Sequence, residues 1–235
     1  MAKFVIFAHA RTGSTSLARV LAESKDVKMA IEPFHPGFSK WNPKEKNFSK
    51  LIKDQKTMND ALDELFRKYS AIKVLDYQFP KKIYFEMLGR KDLKFLFLRR
   101  KNLLEAAIST AVGEQTKEWH KQGNQKVYDN LKPVDIDEIA KWIKYIGKLS
   151  ETYFSYLEKN RSNDFLPLYY EDLYSEDLEN NRKTLKAICD FLDITLPPDV
   201  VIEKYMTPSK AKINYKNIYS RIPNYQEIME RFKNI

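Results

Sequence analysis

The stretch Phe4-Val5-Ile6-Phe7-Ala8-His9-Ala10-Arg11-Thr12-Gly13-Ser14-Thr15-Ser16-Leu17 constrains the fold more than any other part of the chain. An apolar run suited to one buried strand ends in a short polar loop. Beyond it, Leu17, Val20 and Leu21 recur at helical i, i+3, i+4 spacing. Strand, loop and helix start together aim unpaired backbone N–H groups and the positive end of a helix dipole at one point, and such a point binds phosphate-like anions. The hydroxyls of Thr12, Ser14, Thr15 and Ser16 add donors, and Arg11 adds a fixed positive charge. An ordinary strand–helix turn that happens to be rich in hydroxyls is the structural alternative. The loop departs from the NTPase pattern G-x-x-x-x-G-K-[ST]: Ala8 stands at the first glycine and Ser14 at the lysine. It suits a phosphate group but lacks the lysine that grips the β- and γ-phosphates of a nucleoside triphosphate.

The rest of the chain supplies partners for this unit. Apolar segments at 3–10, 27–32, 70–77, 93–99 and 164–169 read as strands. Between and after them, 14–24, 57–69, 102–119, 135–159 and 180–193 carry helical periodicity. Residues 39–56 read as a lysine-rich surface excursion, and 194–235 as a polar loop ending in a short helix. Alternating strands and helices predict a single α/β domain over 1–235. It has three layers, with a doubly wound, mostly parallel sheet flanked by helices, and is P-loop NTPase-like. Parallel order then gathers the strand ends and their loops along one edge.

Composition excludes several classes. Of 235 residues, 43% are hydrophobic and 31% charged, which fits a globular domain and not a disordered chain. The formal net charge of +9 suggests an anionic partner or a lysine-rich solvated surface. The cations are interspersed with acids and no nucleic-acid-binding motif is present, so no nucleic-acid partner is expected. The one cysteine, Cys189, shares a helical pattern with Leu185, Ile188 and Leu192 and reads as a core thiol. A zinc or disulfide framework is excluded. The first apolar stretch is too short for a signal sequence or a membrane span, and the expected location is cytoplasmic, with no transmembrane segment.

A second anion motif repeats the logic of the first. The strand Phe95-Leu96-Phe97-Leu98 delivers Arg99, Arg100 and Lys101 to its end, and Ser109 follows two turns into the next helix. A basic strand cap is the alternative here. Taken together, the two motifs resemble those of the sulfotransferases that use 3′-phosphoadenosine 5′-phosphosulfate (PAPS). Arg11–Leu17 is similar to that family's 5′-phosphosulfate loop, and Arg99–Ser109 to its 3′-phosphate motif. Leu168-Tyr169-Tyr170-Glu171-Asp172-Leu173, with Phe191-Leu192 ending the next helix, and Ser220-Arg221-Ile222-Pro223-Asn224-Tyr225 are further likenesses, chiefly to bacterial members.

The resemblance implies PAPS as donor, 3′-phosphoadenosine 5′-phosphate (PAP) as product and no metal. It implies a small-molecule, glycan, lipid or peptide acceptor with a hydroxyl. Thr12, Gly13, Ser14, Thr15 and Ser16 would hold the 5′-phosphate, and Arg11 the bridging oxygen as charge develops there. The usual Arg-to-Ser spacing of the 3′ motif falls on Lys101. The longer spacing of some bacterial members falls on Arg100, which is preferred, with Lys101 as alternate. Ser16 stands where many members carry a stacking tryptophan, and Tyr170 is the implied substitute. Lys73 would touch the transferred group; a surface lysine on an alternating strand is the alternative. Glu32 and His35, after the second strand, are the candidates for the base, with Glu32 preferred. Sulfuryl transfer needs an aligned donor, charge stabilisation and proton removal from the acceptor. The stretch 113–134, with Trp119, His120 and Tyr128, and the excursion at 39–56 are expected to wall the acceptor pocket. Two readings of other classes compete: a nucleotide-dependent phosphotransferase with a degenerate loop, and a non-catalytic anion-binding module. Oligomeric state is not legible.

Overall fold

The computed structural model describes residues 3–118, 125–211 and 218–233. Among them, strands β1 (Lys3–Ala8), β2 (Met29–Ile31), β3 (Ala71–Leu75), β4 (Leu93–Arg99) and β5 (Phe165–Tyr169) form one sheet in the order β2-β3-β1-β4-β5. Every pairing is parallel. The helices are α1 (Ser14–Ala22), α2 (Phe38–Trp41), α3 (Gln55–Lys68), α4 (Lys81–Gly89), α5 (Leu103–Thr116), α6 (Ile136–Arg161), α7 (Tyr170–Leu173), α8 (Leu178–Leu192), α9 (Asp199–Met206), α10 (Pro208–Ala211) and α11 (Tyr225–Arg231).

The strand order explains the layers. One connection, β1 to β2, runs toward one side of the sheet, and the others run the opposite way. Because parallel crossovers are right-handed, they must cover opposite faces. Alternate residues of β1 record this. Phe4, Ile6 and Ala8 pack with α1, α8 and α9, whereas Val5 and Phe7 pack with α3, α4 and the far half of α6. A third cluster joins α5 and the start of α6 to the tail, through Ile218, Tyr219, Ile228 and Phe232. The expected α/β class with a parallel sheet is therefore the observed one.

Three segments depart from the sequence reading. The tail is no polar loop: α9, α10, a 3-10 turn at Ile218–Arg221 and α11 occupy it. Ile202, Met206 and Ile228 are fully buried, and Val201 and Tyr205 pack against the same core as Ile202 and Met206. α4 was not expected; Ile83, Tyr84, Met87 and Leu88 form its buried stripe. The excursion at 39–56 is only partly superficial. Phe48 is fully buried and packs against Phe38, while Trp41 is 60% exposed.

Candidate active site

All five strands end on the same edge of the sheet, and the expected site residues belong to this edge. After β1 the chain turns through Arg11 at φ 66° and Gly13 at φ 78°. Gly13 is required twice. Its positive φ suits glycine, and a Cβ there would lie 2.7 Å from Tyr174 Cε2 and 3.0 Å from Tyr170 Cδ2. The Tyr174 hydroxyl donates to the Gly13 carbonyl at 2.6 Å, and Thr12 Oγ1 donates to the His9 carbonyl at 2.7 Å. No side chain caps α1. The amides of Ser16 and Leu17 bond the Gly13 carbonyl, and those of Ser14 and Thr15 have no acceptor within the helix itself. These amides stand where the loop sequence leads one to expect an anion cradle.

The end of β4 splits its three cations. Arg99 turns to α6, donating to Ser150 Oγ at 2.9 Å and to Glu151 at 2.8 Å. Arg100 is buried and donates to the Arg11 carbonyl at 2.9 Å. Its guanidinium lies 4.3 Å over the Tyr170 ring, pairs with Glu105, and approaches Glu171 to 3.6 Å. Its Nε is shut off from solvent without a hydrogen-bond partner. Lys101 is exposed and bonds Asp172 at 2.5 Å. Ser109, buried on the next helix, accepts from Arg11 Nε at 2.7 Å. The fold thus brings Arg11, Arg100, Ser109 and Tyr170 into one group and leaves Lys101 at its rim. Burial pushes the Tyr170 phenol up to about 12.

Lys73 is no surface lysine. It is 1% exposed in the middle of β3, donates to Thr15 Oγ1 at 2.9 Å, and forms an ion pair with Glu32. Burial holds its ammonium below the usual lysine range, and the Glu32 carboxylate opposes that shift. Glu32 has φ 56°, and its amide donates to the Lys73 carbonyl at 3.0 Å. His35 has local contacts: its Nδ1 accepts from the Gly37 amide at 2.9 Å, and its ring stacks on Trp41 at 4.9 Å. Of the expected acceptor walls, Trp119 and His120 lie outside the described residues. Tyr128 is a buried member of the third cluster, not a wall side chain open to solvent.

One pair was not anticipated. His9 Nδ1 lies 2.9 and 3.1 Å from the carboxylate oxygens of Asp76, both residues being buried. The signal was in the register. Ala8 pairs with Leu75, so the next residues of β1 and β3 face each other past the strand ends.

Known structures share this architecture. A sulfotransferase from Alicyclobacillus acidocaldarius superposes with a TM-score of 0.53 at 17% identity, over 85% of each chain. The chain has the sulfotransferase fold. A sulfotransferase domain from the curacin biosynthetic pathway gives a TM-score of 0.50 at 13% identity, over 99% of this chain and 98% of that one. In sequence, 107 residues are 32% identical to mouse Sulfotransferase 2A6, spanning 44% of this chain and 36% of the mouse protein. No family model matches. Among the described residues of this sulfotransferase-fold protein, no helix is long and apolar enough to cross a membrane. No group of three or more His, Cys, Asp or Glu among them is arranged to hold a metal ion.

Proposed function

We propose that this protein moves a sulfuryl group from PAPS to an acceptor hydroxyl and releases PAP. The acceptor is a carbohydrate, lipid, phenol or peptide tyrosine. The observation that carries this reading is the 2.7 Å contact between Arg11 and Ser109. It joins the loop after β1 to the helix after β4, through two residues 98 positions apart in the chain, and so supports reading both as parts of one site. A nucleotide with phosphates at both ends needs that adjacency.

In this reading, Gly13 to Ser16 hold the 5′-phosphate through backbone and hydroxyl donors. Arg11 stabilises the bridging oxygen as the sulfur–oxygen bond breaks; it acts by charge, since arginine keeps its proton. Lys73, anchored on Thr15, faces the transferred group, and Glu32 beside it draws the acceptor proton. Arg100 and Ser109 hold the 3′-phosphate. The buried Nε of Arg100 is an unused donor there, although a phosphate must first displace the carboxylates of Glu105 or Glu171. Adenine lies near Tyr170.

Calorimetry with PAP is the direct test, followed by mass spectrometry of sulfated product after incubation with PAPS. Micromolar or tighter PAP binding that weakens in Arg100→Ala supports the reading. Tight binding of ATP·Mg²⁺ with none of PAP would favour a phosphotransferase. Binding of neither, with affinity for polyanions that falls steeply with salt, would favour an anion-binding module.

A further inference from the structure

The His9–Asp76 pair has no task in the reaction as laid out above, yet it sits on the same edge. Its position is unusual for a merely structural tie. Backbone already joins β1 to β3 at this point, the Asp76 amide donating to the Ala8 carbonyl at 3.1 Å. Burying a carboxylate against an imidazole adds desolvation cost without being needed for that link. A ring that donates Nδ1–H to Asp76 carries its lone pair on Nε2. Among the described residues Nε2 has no hydrogen-bond partner, and it is not one of the polar atoms shut off from solvent.

The surroundings suit an acceptor. The Tyr145 ring meets His9 edge-on at 6.3 Å and is 46% exposed. Tyr77, next to Asp76 in the chain, is 51% exposed. Arg11 follows His9 by two residues. Glu32, by contrast, is ion-paired with Lys73.

We infer that His9, oriented by Asp76, is a second proton acceptor for the acceptor hydroxyl and acts while Lys73 engages Glu32. This rests on the sulfuryl-transfer reading. The hydroxyl oxygen bonds to sulfur as the sulfur–oxygen bond to the 5′-phosphate breaks, and that electron pair goes to the phosphate oxygen beside Arg11. The hydroxyl proton passes to Nε2, Asp76 stabilises the resulting imidazolium, and the proton then leaves to water.

Two measurements test this. The first needs no acceptor: treatment of the folded protein with diethyl pyrocarbonate and peptide mapping. Modification of His9 is expected; a His9 that reacts only after unfolding would overturn the inference, because Nε2 would then be out of reach. The second compares His9→Gln, Asp76→Asn and wild type on a primary alcohol and on a nitrophenol already ionised at the assay pH. His9→Gln should lose about 100- to 1000-fold on the alcohol, the usual contribution of a general base. It should lose less than about tenfold on the phenolate, with PAP affinity within about threefold of wild type. Asp76→Asn should fall between, and it stands in should His9→Gln not fold. Equal losses on both acceptors, a loss on the alcohol below about threefold, or a parallel collapse of PAP affinity would overturn the inference in favour of a structural pair. Failure of wild type to bind PAP would instead sink the sulfuryl-transfer reading, and the modification result would still report on His9.

Discussion

The two edges of the sheet are built on opposite terms. At the carboxyl edge, buried and half-buried polar groups pair with one another: Lys73 with Glu32, His9 with Asp76, Arg100 with Glu105. Arg11 and Glu32 hold left-handed backbone there, a conformation that costs non-glycine residues energy. At the amino edge, the turns from α4 to β4 and from α6 to β5 are clasped by one buried cation. Arg161 donates to the carbonyls of Leu88, Arg90 and Leu93 and to Asp164. There the charge is satisfied by fixed backbone acceptors. One edge holds exchangeable partners; the other holds the layers together.

That contrast can be broken by experiment. The largest effect should come from Arg161→Ala, which strands three carbonyls at once. It should cost roughly 3–5 kcal/mol of stability in denaturant unfolding, while the folded fraction binds PAP as wild type does. A change in that affinity would mean the edges are not separate. Gly13→Ala adds a left-handed alanine and a clash with Tyr174 and Tyr170, and should cost roughly 2–4 kcal/mol. Here PAP affinity should fall as well, since the cradle itself is distorted. Arg100→Ala should weaken PAP binding by roughly 30-fold, about 2 kcal/mol, while Lys101→Ala changes it by less than about threefold. The reverse ranking would move the 3′-phosphate to Lys101.

The smallest expected effect is Tyr174→Phe, about 1 kcal/mol for the lost bond to the Gly13 carbonyl. It also carries a pH signature. Burial raises the phenols of Tyr84, Tyr153, Tyr170 and Tyr174 above their ordinary value. A raised folded pKa means the unfolded chain gives up its protons first. The associated stability is intact below about pH 10 and is lost as pH rises beyond it. Tyr174→Phe should lessen that alkaline loss in unfolding curves taken from pH 8 to 11; an unchanged slope would show that Tyr174 does not contribute.

What could be read beforehand follows from how local each feature is. The loop at 11–16 and the strand 93–99 carry their signals within a few residues, and both stand where expected. Lys73 could be placed on a strand but not buried, because its burial depends on α1 covering that face and on Glu32 arriving from β2. The separation of Arg99, Arg100 and Lys101 into three directions depends on α6 and α7, which supply Ser150, Glu151 and Asp172. Asp76 and His9 are 67 positions apart, and only the β1–β3 register unites them. The tail failed for a different reason: α9, α10 and α11 run for eight, four and seven residues, too short to establish a helical period.

The bond from Arg100 to the Arg11 carbonyl makes the loops after β1 and β4 one mechanical part. Whatever grips either end pre-shapes the other. A nucleotide bearing both phosphates should therefore bind more tightly than its 3′- and 5′-monophosphate fragments would suggest when measured apart, and titrating the three compounds side by side would show how stiff that coupling is.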